Sequence, residues 1–134
     1  MLSGCGGTYE PNDPQALAQC YANQFGASPP HAVTNIQVKE VVVGDAGGCY
    51  MRFDATPEII TQLLSTKRFQ PSDAVTFRIY SEGGNAPAWW NPEKDSMTEF
   101  YINEKWTDTP NYSLAVLGFD KAKRVVYFHH GISF

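Results

Sequence analysis

Apolar residues Leu17, Cys20, Tyr21 and Phe25 recur at helical spacing near the start of the chain. Asp13 and Pro14 stand where an N-cap and a first-turn proline belong, and Gly26 ends the pattern. The spacing predicts a first helix between them. Ser28-Pro29-Pro30-His31 reads as a turn or an extended linker. Ile36 to Val43 is rich in branched residues and alternates imperfectly, which predicts a strand partly covered on both faces. Asp45-Ala46-Gly47-Gly48 supplies a hairpin loop, and Cys49 to Asp54 returns as the partner strand.

A second helix is expected after Thr56-Pro57-Glu58, which offers a cap, a first-turn proline and an acid at the positive helix end. Ile59, Ile60, Leu63 and Leu64 give it a narrow apolar face, and Phe69-Gln70-Pro71 breaks it. The period then changes to two. Val75, Phe77 and Ile79 alternate, so Ala74 to Tyr80 is expected as a strand, and Phe100, Ile102 and Trp106 share a parity within Met97 to Trp106. Thr107 to Asn111 reads as a loop. Ser113 to Phe119 and Arg124 to His130 form a closing hairpin around Asp120-Lys121-Ala122-Lys123. The expected fold class is α+β, with the order α-β-β-α-β-β-β-β. Its antiparallel sheet has five to six strands and carries two helices on one face.

Between the two halves lies Ala86-Pro87-Ala88-Trp89-Trp90-Asn91-Pro92, preceded by Gly83-Gly84-Asn85. Prolines hold their preceding residues extended, so this connection is stiff. Its aromatics either plug the core or form a platform for a partner, and at least one ring is expected over the sheet.

Composition narrows the class. The 134 residues are enough for one domain with its own core, and 43% apolar content argues for a globular fold. Ten basic against fourteen acidic residues give a net charge of −4. Lys121, Lys123 and Arg124 are the one small basic cluster, too few for a phosphate-tracking surface, so no nucleic-acid partner is expected. No apolar run is long enough to span a bilayer.

Leu2-Ser3-Gly4-Cys5, followed by Gly6-Gly7, resembles the lipobox of bacterial lipoproteins. The resemblance implies cleavage before Cys5, a lipid on its sulfur and a membrane anchor in the bacterial cell envelope, facing the periplasm or the surface. The charged start and apolar stretch that precede a lipobox are expected upstream of Met1. Alternatively the match is a chance one in a cytosolic chain. On the lipobox reading, residues 1–12 are lipobox remnant and flexible tether, and 13–134 a single globular domain. The segment from 86 to 130, with Trp-Trp-Asn-Pro and a Val-Tyr-Phe-His-His ending, is similar to small envelope lipoproteins of uncharacterised function. That similarity implies a compartment and no catalytic residue.

With Cys5 lipidated, Cys20 and Cys49 remain as an even pair, and an oxidising envelope would allow a disulfide between them. The alternative is two buried free thiols acting as small hydrophobes.

Candidate chemistry is sparse. His129 and His130 are strand neighbours that point to opposite faces, so they cannot easily share one metal. No HExxH, CxxC, GxSxG or phosphate-cradling glycine loop accompanies them, and no cofactor, metal site or catalytic set is expected. Glu99 with His129, or Asp95 near the tryptophans, are imaginable acid–base groups, but solvated surface acids are the preferred reading. The expected function is a non-catalytic binding module. A cell-wall glycan or a second envelope protein would contact Trp89, Trp90, Tyr127 and His129, on the face made by the Pro87–Pro92 loop and the last hairpin. The competing class is a small envelope hydrolase using His129 with a carboxylate.

Overall fold

The structure is a computed structural model that describes residues 7–43, 46–81, 86–106 and 112–133. Cys5, the Gly83-Gly84-Asn85 turn and the expected 107–111 loop lie outside the described residues.

The fold is α+β, but the described residues form seven strands and three helices rather than five to six and two. In chain order the elements are β1 (Gly7–Tyr9), α1 (Pro14–Phe25), β2 (Thr34–Val43), β3 (Ala46–Asp54), α2 (Pro57–Thr66), β4 (Gln70–Pro71), α3 (Ala74–Ser81), β5 (Glu99–Asn103), β6 (Tyr112–Asp120) and β7 (Val125–Ser133). All pair antiparallel in one sheet ordered β1-β2-β3-β7-β6-β5-β4. Residues 7–9, expected in the tether, pair instead with Glu40, Val41 and Val42 as an exposed edge strand. Backbone bonds suffice for that pairing, so no apolar pattern announces it.

The first two helices begin and end near where the sequence places them. Asp13 accepts a hydrogen bond from the Ala16 amide at 3.1 Å, and Gly26 closes α1 at φ 81°, a left-handed conformation that glycine adopts freely. Thr56 occupies the N-cap position of α2 without a side-chain cap bond. The main correction is α3. Ala74 to Tyr80 is helical, because Asp73 accepts from the Thr76 amide at 2.8 Å and starts a turn. Phe77 and Ser81, one turn apart, are its buried pair, whereas Val75 and Ile79 are exposed at 61% and 67%. Their alternation was a surface accident.

The helices also divide between the faces. On one side α1 and α2 bury Tyr21, Phe25, Ile60 and Leu63 against Met51, Phe53, Leu117 and Phe128. On the other, Phe77 of α3 and Trp90 of the proline-framed loop cover Tyr50, Val116 and Tyr127. Trp106 parts from Phe100 and Ile102. β5 ends at Asn103, and the indole turns to the first face against Phe25, Phe69 and Phe128. Among the described residues no helix is long and apolar enough to cross a membrane.

Candidate functional site

Gln37, Arg52 and Tyr127 are paired in register across β2, β3 and β7, and Gly118 of β6 continues the row. Strand alternation places them on the α3 side of the sheet. Over Gly118 the loop comes down close: a Cβ there would meet the Met97 side chain at 2.7 Å. The loop approaches in two steps, with the Trp90 amide bonded to the Pro87 carbonyl at 3.0 Å and the Lys94 amide to that of Asn91 at 3.2 Å. This folding sets Asp95 above the row.

The result is a connected polar network. The Tyr127 hydroxyl donates to Asp95 Oδ2 at 2.7 Å and lies 3.2 Å from the Asn91 carbonyl. Arg52 Nε donates to the same hydroxyl oxygen at 3.1 Å, and its other nitrogens reach Gln37 at 3.4 Å and Asp95 at 3.6 Å. Lys123 Nζ contacts Asp95 Oδ1 at 3.1 Å. It is aimed there by the β6–β7 turn, in which Asp120 Oδ1 accepts from the Ala122 and Lys123 amides. Burial raises the Asp95 carboxyl pKa, but hydrogen bonds from Tyr127 and Lys123 and the charges of Arg52 and Lys123 outweigh it and hold it below the ordinary value. Tyr127 is pushed up, first by burial and then by its bond to Asp95. Asp95 is therefore an ionised, fixed acceptor and not a solvated surface acid.

A cleft of about 280 Å³ opens over this network. Its base is Arg52, Tyr127 and Asp95, and its rim is Gln37, Trp89, Asn91 and Lys94. A neighbouring cleft of about 230 Å³ shares Asp95 but is walled chiefly by Phe77, Met97, Phe100 and Ala74. Convergent polar groups beside an indole distinguish the first.

The tryptophans separate. Trp90 is only 8% exposed and packs edge-on against Tyr50 and Tyr127, so it belongs to the core. Trp89 is half-buried at the cleft rim. Tyr127 is buried, and its hydroxyl alone reaches the site. His129 shares its face but packs tilted against Tyr50, ring centroids 4.3 Å apart, and its Nδ1 is buried without a hydrogen-bond partner among the described residues. Burial, then the charge of His130, lowers its pKa to about 4 against an opposing bond to Cys49 backbone. Glu99 cannot serve it. The alternation of β5 puts Glu99 with Tyr101 on the opposite face, where Tyr101 donates to it at 2.7 Å. His130, on the α1 side, is also lowered to about 4 by burial.

Cys20 and Cys49, expected as a bridged pair, are both free thiols in the structure and buried in one cluster. Burial raises both thiol pKa values, and the nearby charge of Glu40 adds to it, so neither is an activated nucleophile. Among the described residues no group of three or more histidine, cysteine or acidic side chains is placed to hold a metal ion.

Sequence reading reached Trp89, Tyr127 and the loop that carries Asn91, and named Asp95 only as an acid–base candidate, but it missed Arg52, Gln37, Lys94 and the role of Lys123. The available signal was Arg52, a cation between Met51 and Phe53 in an inner strand, which requires a polar partner. The chain matches no protein-family model, no curated protein and no solved structure, so the site stands on its own chemistry.

Proposed function

We propose that this chain is a non-catalytic binding module of a bacterial envelope lipoprotein, anchored through Cys5, that contacts an envelope glycan or protein. The observation that carries the reading is the cleft over Arg52, Asp95 and Tyr127. Its polar groups are held in place by one another before any ligand arrives, which lowers the ordering cost of binding. Trp89 at the rim adds a large, stiff contact surface between prolines. The hydrolase alternative draws no support from His129, whose ring is buried against Tyr50 and whose Nδ1 has no hydrogen-bond partner among the described residues.

Capture from separated envelope fractions, one of cell-wall glycan and one of envelope proteins, tests the reading. Wild type should retain a partner that Trp89→Ala releases. Equal retention by both proteins would place binding elsewhere.

A further inference from the structure

Resting on that binding-module reading, we infer that the cleft beside Trp89 takes a single sugar ring carrying a carboxylate, the acidic residue of an envelope glycan. Size is the first argument. Ligand pockets run from roughly 300 Å³ upward, and about 280 Å³ accommodates one ring rather than a peptide segment. Composition is the second. Apart from Ala88 and Trp89, every lining side chain ends in a hydrogen-bonding group, which suits a hydroxyl-studded ring with one apolar face.

Charge selects the acidic member of that class. Arg52 and Lys123 share the single carboxylate of Asp95, while the exposed Lys94 makes no ion pair among the described residues. Asp54 is the other acid felt by Arg52, and it accepts from Asn35 at 2.6 Å; Glu93 lines the neighbouring cleft. The cleft's own lining thus holds two cations, Arg52 and Lys94, against one anion, Asp95, in a chain whose net charge is −4. The long Arg52 contacts, 3.4 Å to Gln37 and 3.6 Å to Asp95, leave guanidinium N–H groups able to take a stronger acceptor. A ligand carboxylate between Arg52 and Lys94 would complete the set.

D-glucuronic acid and D-glucose differ at one carbon and make the test. Titrate the full chain with each, following tryptophan emission and amide NMR shifts. Glucuronate should bind about tenfold more tightly than glucose, the scale of one charge-assisted hydrogen bond. That preference should shrink by about fivefold in Lys94→Gln, and binding should be lost in Trp89→Ala, with amide dispersion unchanged in both. Equal binding of the two sugars overturns the acidic preference. Unchanged glucuronate binding by Trp89→Ala overturns the location. If neither sugar binds while Trp89→Ala still releases an envelope protein, the sugar inference fails and the binding-module reading survives.

Discussion

Tyr127 and Asp95 are 32 positions apart in the sequence, and the Tyr127 hydroxyl donates to the Asp95 carboxylate at 2.7 Å. This bond ties the proline-framed loop to the centre of the sheet. It also explains how a connection with little regular structure stays placed above Arg52.

Removing that hydroxyl should be felt at both ends. Tyr127→Phe is expected to destabilise by about 1–3 kcal/mol, because Asp95 stays half-buried with one donor fewer. The Asp95 carboxyl should titrate at a higher pH than in wild type. Carboxyl-carbon NMR across the acid range checks this, and an unchanged Asp95 titration would mean that Tyr127 does not hold it.

Acid should loosen the domain in a defined window. Both His129 and His130 have an ordinary pKa of 6.5 lowered to about 4 in the fold. Between those values the unfolded chain binds protons that the folded chain refuses. Stability is therefore complete above pH 6.5 and is lost as pH falls toward 4, by up to about 1.4 kcal/mol per pH unit for each histidine. Urea unfolding between pH 7.5 and 4.5 should show this slope, and His129→Phe should reduce it by about half, leaving the His130 contribution. A pH-independent midpoint would contradict the buried neutral imidazoles.

The cysteines give a compartment-dependent expectation. Cys20 and Cys49 are buried in the same core cluster. In an oxidising envelope they are expected to lose two protons and two electrons to a thiol oxidase and form one S–S bond. The bridge should stabilise by about 3 kcal/mol. Thiol titration of unfolded, unreduced protein isolated from the envelope decides it: no reactive thiol at these positions supports the bridge, and two exclude it.

Anchoring has its own readout. Expressed behind an export signal, the chain should incorporate a fatty-acid analogue at Cys5 and lose the label in Cys5→Ala. Label persisting in that variant would remove the lipoprotein proposal.

Elements whose own residues encode their ends were legible. Asp13-Pro14 and Gly26 frame α1, Pro57 opens α2, and Asp120 shapes the last turn, each through local backbone chemistry. The parity of β7 was legible too, with Tyr127 and His129 on one face and Val126 and Phe128 on the other. What failed needed knowledge of neighbours. Val75 and Ile79 mimic a strand, yet only the Asp73 cap and the seat of Phe77 above Gly118 decide for a helix. The site was half hidden for the same reason. Arg52, Asp95 and Lys123 come from three distant segments, and only sheet register and a turn bring them together.

The central claim, that this cleft is a binding surface, rests on Trp89 and Trp90 having different roles. Affinity for the captured envelope partner and thermal unfolding should be measured on the same samples of wild type, Trp89→Ala and Trp90→Ala. Trp89→Ala is predicted to lose about 2 kcal/mol of binding, roughly thirtyfold, while losing far less stability than Trp90→Ala. Trp90→Ala should instead lose about 3–5 kcal/mol of stability, because its ring fills the core against Tyr50 and Tyr127. If Trp89→Ala melts early and binds its partner as wild type does, the loop is a structural lid and the cleft is not the binding site.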